Sequence, residues 1–437
     1  MTGTTAHSHQ AGGRQTIRLI GIFIWLIAAF FFLYEFFLRT FLGSLEPQIM
    51  KALHLNAETF SILGSSYYLV YGLMQIPVGI IIDRVGVKLT MVTAAILCGL
   101  SAICFALSGS FAFALASRLL MGFGSSFAFI CLLTIARDWF PRSRFGFFAG
   151  LSQFIGTLGP ILAGGPLVIF LEKEQVSWQT MLFVLGLVGF VISLLSFFFV
   201  RGRKAGPNRM ILLPPRIPLK EQLLALVSNK QAWWVAVFSA LIYTSIATLG
   251  AIWGTRVLIA KGLHQDLAAE VISVLWIGYA ISCPLTGYLS DIFQRRKVFM
   301  VGMAAMVLVS IAGLRFFPSG SAGLFGVVFF VLGFAGGAQN LGFATIVEKV
   351  SERLSSTSMG MNNGLMLTVD TINPMIFAFL VTLTLANKNA EDFSSHNFDY
   401  ALSYILGLGI VALLVSIFCI KETYCKPQRD LIMVEQS

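Results

Sequence analysis

Apolar runs of roughly 20 residues recur along this chain, and short polar stretches separate them. A helix of that length crosses the hydrocarbon core of a bilayer. Only helices or a closed barrel satisfy the backbone there, and these runs are too long for barrel strands. Since 57% of the 437 residues are hydrophobic and 11% are charged, an ordinary water-exposed surface cannot be built. The sequence therefore predicts an all-α membrane protein.

The apolar runs form two sets of six. The predicted spans 1 to 6 cover approximately 18–45, 59–82, 89–108, 111–135, 145–171 and 179–200. Spans 7 to 12 cover approximately 232–257, 268–290, 298–317, 322–347, 359–386 and 399–420. The stretch between the sets is basic and contains prolines, as a linker does. We predict a six-helix bundle over 1–200, a cytoplasmic linker over 201–230, and a second bundle with its tail over 231–437.

Basic residues are distributed asymmetrically between the loops. Most of the 30 Lys and Arg fall in the two tails, the linker and the loops after even-numbered spans, while acidic residues collect in the opposite loops. The positive-inside rule then predicts that both termini are cytoplasmic. It also explains the net charge of +10 without a nucleic-acid partner. The first polar segment lacks a signal-peptide cleavage pattern and is expected to remain as a tail.

Motifs of soluble enzymes and metal sites are missing from the sequence. The six cysteines show neither paired spacing nor a metal-ligand pattern, and we interpret them as free thiols. There is no P-loop, no HExxH and no glycine fingerprint for a dinucleotide. We therefore predict a protein that is not an enzyme and that has no cofactor and no metal site.

A short motif occurs once in each half of the chain. After span 2 the sequence contains Gly79-xxx-Asp83, and after span 8 it contains Gly287-xxx-Asp291, with the same number of residues separating each matched pair. Basic residues follow both copies. The repetition predicts two duplicated six-helix units in parallel arrangement.

The first copy, Gly-xxx-Asp-Arg-x-Gly-x-Lys, resembles the loop signature of the major facilitator superfamily, and the six-plus-six pattern extends this resemblance over the whole chain. The resemblance implies two pseudo-symmetric bundles that expose a central cavity alternately to the two sides. The residues that it assigns to gating are Gly79, Asp83, Arg84, Lys88, Arg137 and Asp291. Arg137 is the expected partner of Asp83. Alternatively, these charges mark only the cytoplasmic boundary. Ile292 and Gln294 replace Arg and Gly in the second copy, which predicts a weaker contact there.

Span 1 carries two charges inside an apolar run. Glu35 and Arg39 are four residues apart and hence share a helix face, which cannot be the face toward lipid. One interpretation is a structural ion pair inside the bundle. The other is that Arg39 binds the anionic group of a substrate while Glu35 holds a proton or a substrate ammonium.

An arginine in span 1 followed eight residues later by Pro47 resembles the anion:cation symporter branch of the superfamily, in which that arginine contacts the anionic group of the substrate. The only arginine of span 7, Arg256, is at its periplasmic end, which favours a carboxylate over a phosphate. The segments Tyr34-Glu35-Phe-Phe-Leu-Arg39 and Tyr67-Tyr68-xx-Tyr71, with Gln75-Ile-Pro, also resemble the proteobacterial intraphagosomal (Pht-type) carriers. Those carriers import amino acids or nucleosides. The resemblance also implies a multi-pass protein of the bacterial inner membrane.

Polar and aromatic side chains within the spans need partners in lipid, which places them toward the protein interior. The substrate-binding candidates besides Arg39 are Tyr34, Tyr71, Gln75, Tyr243, Trp276, Tyr279, Gln339, Asn340 and Asn363. Ordinary helix packing is the alternative for each of them.

Three residues are candidates for proton coupling. They are Glu35, Asp370 in the middle of span 11, and Arg118 in span 4. The segment that begins Arg118-Leu-Leu-Met-Gly122 resembles the arginine-glycine motif that the superfamily associates with proton coupling. Arg118 is alternatively a structural partner of Glu35 or of a backbone carbonyl.

The leading functional prediction is proton-coupled uptake of a small carboxylate-bearing or zwitterionic solute, with an amino acid first. Alternatives are a nucleoside or carboxylate-siderophore importer, an exporter of drugs or metabolites, and a membrane receptor that moves no solute. The expected partners are a small-molecule substrate, protons or another coupling ion, and membrane lipids, and the chain is expected to be a monomer.

Overall fold

The computed structural model describes residues 5–55, 57–201, 218–317, 320–384 and 395–426. These residues are helical or lie in short connections, with no strand among them. Most of the predicted linker, residues 202–217, lies outside the described residues. The remaining part of the linker forms the helix Leu219–Ser228.

Among the described residues, eleven single helices are long and apolar enough to cross a membrane, and one bent pair of helices passes the same test when counted together. The first six spans are α1 (Leu19–Ser44), α2 (Ile62–Leu73 with Gln75–Val85), α3 (Val87–Ala106), α4 (Phe111–Trp139), α5 (Phe145–Ala163) and α6 (Trp178–Phe199). The others are α7 (Lys230–Ala260), α8 (Leu267–Phe293), α9 (Arg296–Phe316), α10 (Ala322–Glu348), α11 (Glu352–Thr382) and α12 (Ser395–Cys419). With the bent pair counted as one span, the predicted all-α fold of twelve spans is confirmed.

The bend in α2 has a backbone cause. Its two helices meet at 49° across Met74. Pro77 has no N–H to donate to the carbonyl oxygen of Leu73, so one helical hydrogen bond is missing where the two helices meet.

Irregular turns occur in several other spans, among them α4 and α7. In α4 the helices Phe111–Ser125 and Ala128–Trp139 are separated by a short break. In α7 the segment Thr248–Trp253 is a π-helix. Such π-turns are rare and frequently occur at functional sites, because they leave backbone groups outside the regular hydrogen-bond ladder.

The chain divides into two compact units. The first unit comprises Met1–Pro141 and Ile155–Ile217, and the second comprises Arg142–Phe154 and Pro218–Ser437. The first turns of α5 thus group with the second unit, a detail that the sequence boundaries of 200 and 231 did not anticipate.

Equivalent helix pairs pack together inside each unit. In the first unit α1 and α2 pack against α4, and α3 packs against α6. In the second unit α7 and α8 pack against α10, and α9 packs against α12. The same pairing recurs six spans later, as expected for the internal repetition in the sequence.

Glycines allow close contacts between the paired helices. A Cβ atom at Gly99 on α3 would lie 2.7 Å from the carbonyl oxygen of Gly186 on α6. A Cβ atom at Gly278 on α8 would lie 2.5 Å from the carbonyl oxygen of Phe330 on α10. In lipid there is no hydrophobic driving force between helices, so helices associate largely through van der Waals packing. Small residues at such crossings allow the close approach that this packing needs.

Candidate functional site

The ion pair that was one of the two interpretations of span 1 is present in the first unit. Arg39 donates to Oε1 of Glu35 through Nη2 at 2.6 Å and through Nε at 3.0 Å. The Glu35 side chain is fully buried, whereas that of Arg39 is 10% exposed. Oε2 of Glu35 has no hydrogen-bond partner among the described residues. The pair therefore keeps one carboxylate oxygen unpaired and one edge of the cation accessible.

Two tyrosines of α2 complete the environment of this pair. The hydroxyl of Tyr67 donates to Oε1 of Glu35 at 2.8 Å. The guanidinium carbon of Arg39 lies 4.2 Å from the ring centre of Tyr71 and 4.2 Å from that of Phe36. Rings at these distances attract a cation through their negative faces. Arg39 is thus held between two aromatic faces and one carboxylate oxygen.

Arg118 on α4 fixes the backbone of α1 beside this pair. Its Nη1 donates to the carbonyl oxygen of Leu38 at 2.6 Å, and its Nη2 donates to that of Arg39 at 2.9 Å. The side chain is fully buried, with its guanidinium carbon 4.5 Å from the ring centre of Tyr67. Of the structural alternatives, these contacts match the backbone-carbonyl one. We name Glu35, Arg39, Tyr67, Tyr71 and Arg118 the first-unit cluster.

Five predicted binding residues come together in the second unit. Nε2 of Gln339 donates to the hydroxyl of Tyr279 at 2.8 Å, and Nδ2 of Asn340 donates to Sγ of Cys283 at 2.9 Å. The ring of Tyr279 lies 6.2 Å from that of Tyr243 and 5.9 Å from that of Trp276. We name Tyr243, Trp276, Tyr279, Gln339 and Asn340 the second-unit cluster.

Donors and acceptors in the second-unit cluster are not evenly matched. The amide oxygen of Gln339 is buried and has no hydrogen-bond partner in the described part of the chain. Buried polar atoms are almost always paired, so an orphaned acceptor points to a missing donor. A ligand hydroxyl or a water molecule would supply that donor.

Two candidates from the sequence face other neighbours. The hydroxyl of Tyr34 donates to the carbonyl oxygen of Leu185 on α6 at 2.9 Å. Because five residues rotate a helix by about 140°, Tyr34 lies on a different face of α1 from Arg39. Nε2 of Gln75 donates to the carbonyl oxygen of Tyr71 at 2.9 Å, which caps the break in α2. Asn363 is buried in α11. The structure does not bring Tyr34 into the cluster around Arg39.

Tyr67 is not among the binding residues that the sequence predicted. Its neighbour Tyr68 is 49% exposed, whereas Tyr67 is fully buried. Tyr67 and Tyr71 are four residues apart, and their rings stack at 6.0 Å. That i, i+4 spacing was the signal that would have found Tyr67.

The second copy of the repeated motif forms a buried charge network. Arg296 pairs with Asp291 at 2.6 Å and with Glu348 at 3.0 Å, and its side chain is fully buried. Asp291 also accepts from the backbone N–H of Phe147, at the beginning of α5, at 2.8 Å. The sequence predicted a weaker contact here, because Ile292 replaces the arginine that follows the aspartate in the first copy. In the structure, Arg296 supplies the cation instead.

Both copies turn between two helices at a residue with positive φ, but the backbone conformations differ. Gly86 has φ 93° and ψ 150°, a combination that is nearly confined to glycine. Gln294, at the equivalent position, has φ 52° and ψ 39°, the left-handed helical region. The second copy thus forms its turn in a different conformation, which does not require glycine.

Residues of the first copy are placed as follows. Gly79 is buried, Asp83 and Lys88 are half-buried, and Arg84 is exposed. Nζ of Lys88 lies 5.0 Å from the ring centre of Phe197. Arg137, the predicted partner of Asp83, donates to its own neighbour Asp138 at 2.8 Å. The gating roles of these residues remain predictions.

A buried lysine lies next to the charge network of the second unit. Lys349 follows α10 directly, and its Nζ is buried without a hydrogen-bond partner among the residues described. Burial lowers the pKa of Lys349 to about 8, although the carboxylates of Glu348 and Glu422 act in the opposite direction.

The sequence profile described as Major Facilitator Superfamily matches residues 24–372. This chain belongs to the major facilitator superfamily. It is therefore a multi-pass membrane transporter by fold and family. Over 364 residues this chain is similar to the hexuronate transporter of Bacillus subtilis, at 23% identity over 79% of this chain and 84% of the relative.

Two further superfamily comparisons extend this result. The membrane sensor protein UhpC of Salmonella typhimurium is 26% identical over 76% of this chain and 77% of its own length. The crystal structure of the Escherichia coli fucose:proton symporter superimposes with a TM-score of 0.69 at 16% identity. That alignment covers 90% of this chain and 98% of the symporter, and it shows the shared fold.

Proposed function

We propose that this superfamily member takes up a small organic carboxylate, of the sugar-acid class, and that Arg39 binds its carboxylate group. One observation carries the proposal. Arg39 is a partly exposed cation in an otherwise buried cluster that fixes it on every described side, through Glu35, Tyr71 and the carbonyl held by Arg118. A guanidinium held in this way is preorganised for a charge-assisted, bidentate contact with a carboxylate.

Glu35 is the proposed carrier of a coupled proton. It is buried, and its Oε1 already accepts from Arg39 and Tyr67. A substrate carboxylate that pairs with Arg39 replaces Glu35 as the counter-ion. Protonation of Glu35 then removes the negative charge that would otherwise be left without a partner in the apolar interior. Binding of the anion and of the proton would therefore favour each other.

The second-unit cluster supports a hydroxyl-rich substrate over an amino acid. Its aromatic rings suit the apolar faces of a sugar, and its amide groups both donate and accept hydrogen bonds as hydroxyls require. A hexuronate is a sugar with a carboxylate, and a hexuronate transporter is among the relatives. The amino acid that the intraphagosomal resemblance suggested stays an alternative, together with nucleosides and carboxylate siderophores.

Uptake into proteoliposomes tests this proposal. We expect glucuronate or galacturonate to accumulate under an inward proton gradient, ahead of amino acids, nucleosides and citrate. Arg39→Ala should reduce this uptake roughly 10- to 100-fold, the value of one charge-assisted hydrogen bond. Arg256→Ala, at the end of α7, serves as the matched arginine control. Accumulation of amino acids alone, or full uptake by Arg39→Ala, would contradict the proposal, and net efflux would favour an exporter.

A membrane receptor is the second candidate, because one relative is a membrane sensor. A receptor would bind the same anion through the same cluster without moving it. Thermal stabilisation of the purified protein by glucuronate, with no flux in proteoliposomes that maintain a proton gradient, would favour the receptor. Flux of any solute would exclude it.

A further inference from the structure

A separate group of oxygen atoms lies in the second unit, where α7 meets α11. Nδ2 of Asn373 donates to Oγ1 of Thr248 at 2.6 Å, which orients the amide of this asparagine. Its Oδ1 is then buried without a hydrogen-bond partner, and the same holds for Oδ1 of Asp370, as judged over the described residues. Asn373 is 1% exposed. We name Thr248, Asp370 and Asn373 the oxygen cluster.

The backbone adds further acceptors at the same level. Pro374, inside α11, has no N–H to donate to the carbonyl oxygen of Asp370. On the opposite helix, Thr248 begins the π-helix Thr248–Trp253, whose hydrogen-bond ladder is irregular. Asp370 and Asn373 are three residues apart and so lie one turn from each other on neighbouring faces of α11. The carbonyl oxygen of Asp370 and the side chains of Asp370 and Asn373 therefore lie within about one turn of α11, at the level where Asn373 contacts the π-helix of α7.

This collection has one formal negative charge and more acceptors than donors, since its donors are the Nδ2 group of Asn373 and the hydroxyl of Thr248. Asp370 forms no ion pair with any residue that the structure describes. A proton on Asp370 would donate a single hydrogen bond, so the oxygen of Asn373 or the backbone carbonyl would still be left without a partner. A metal cation interacts with all of these oxygens at once, and hard cations prefer carboxylate, amide and carbonyl oxygens.

We propose that Thr248, Asp370 and Asn373 form a binding site for a monovalent metal cation. One carboxylate neutralises one positive charge, so the site matches a monovalent ion better than a divalent one. In transporters, carbonyls at interrupted helices are suited to such ions, because broken backbone hydrogen bonds free oxygens at membrane depth. The proposal reassigns Asp370, which the sequence suggested as a proton carrier.

The role of the cation rests on the proposed transport function, but its binding can be measured without transport. In a transporter the cation would enter with the organic anion, in addition to the proton on Glu35. In the isolated protein, cation binding is measured without any substrate. Failure of the one proposal thus remains distinguishable from failure of the other.

Sodium is the probe for this site. Binding of radioactive ²²Na⁺ to the purified full-length protein is measured in choline chloride at constant ionic strength, with no organic anion present. We expect saturable binding by the wild type. Asp370→Asn and Thr248→Val should each lower the affinity by more than about tenfold, as loss of a metal-site contact does. Thr371→Val changes an exposed hydroxyl of the same helix turn and should leave binding unchanged.

Circular dichroism and gel filtration establish that each variant is folded. Thr248→Ser retains the hydroxyl and should retain binding even if Thr248→Val unfolds. Absence of saturable sodium binding by the folded wild type would overturn the proposal, as would equal binding by Asp370→Asn. Uptake of glucuronate driven by a proton gradient is measured in parallel, once with sodium and once without it. If sodium binds and no anion is transported in either buffer, the transport proposal fails alone.

Discussion

Tyr67 donates its phenolic hydrogen to the same carboxylate oxygen of Glu35 that accepts from Arg39, at 2.8 Å. One oxygen of Glu35 thus serves two donors, while its other oxygen has no partner among the described residues. The carboxylate of Glu35 is thus hydrogen-bonded to one donor from α1 and one donor from α2. This arrangement makes the position of Arg39 dependent on a residue from a neighbouring helix.

Removal of that phenol should weaken substrate binding. In Tyr67→Phe, Oε1 of Glu35 keeps Arg39 as its only donor within the cluster, so Arg39 is less available to a substrate anion. We expect the KM for glucuronate uptake to rise about tenfold, the value of one hydrogen bond to a charged group. Tyr68→Phe is the matched control, since Tyr68 is next to Tyr67 in the chain and its side chain is 49% exposed. An unchanged KM in Tyr67→Phe would show that Tyr67 does not tune Arg39.

The buried charge network of the second unit should dominate the stability of that unit. Arg296→Ala leaves Asp291 and Glu348 without their buried cation, which should cost about 3 to 5 kcal/mol of unfolding free energy. Arg296→Lys should recover part of this loss. The exposed neighbour Arg295, which stacks on Tyr424 at 4.7 Å, is the control in Arg295→Ala. Reversible unfolding in SDS measures all three, and equal losses from Arg295 and Arg296 would contradict the expectation.

Lys349 should make stability depend on pH in the alkaline range. Its pKa is about 8 in the folded protein, below its ordinary value of 10.5, because burial disfavours the charged form. The unfolded chain then binds more protons between these two values, so stability should rise as pH increases from about 8 to about 10.5. Thermal unfolding across this range should show the rise in the wild type and a smaller rise in Lys349→Met. Lys51→Gln, an exposed lysine, should behave as the wild type does.

The close crossing of α3 and α6 should tolerate no added methyl group. In Gly99→Ala the new Cβ would lie 2.7 Å from the carbonyl oxygen of Gly186, so α3 and α6 must separate. Overpacking of this kind costs about 1 to 3 kcal/mol. Gly43→Ala is the control, because nothing lies within 4 Å of its Cβ position. A thermal midpoint of Gly99→Ala equal to that of the control would contradict the expected overpacking.

The number and order of the spans, and the shared helix face of Glu35 and Arg39, could be predicted from the amino-acid sequence alone. Both follow from local rules. A span needs about 20 apolar residues, and charges four residues apart on a helix meet on one face. The repeat after α2 and α8 likewise identified Asp291, although it did not identify Arg296 as the cation of that copy.

Which side chains meet across helices could not be predicted from the sequence and is seen only in the folded structure. Tyr67 rather than Tyr68 faces Glu35, Tyr34 turns toward α6, and Arg118 binds carbonyls of α1. The physical reason is that the lipid-facing and core-facing sides of a membrane helix are both apolar, so hydrophobic periodicity does not separate them. Contacts such as that of Arg296 with Glu348 join residues far apart in the chain, and only the packing of the helices brings them together.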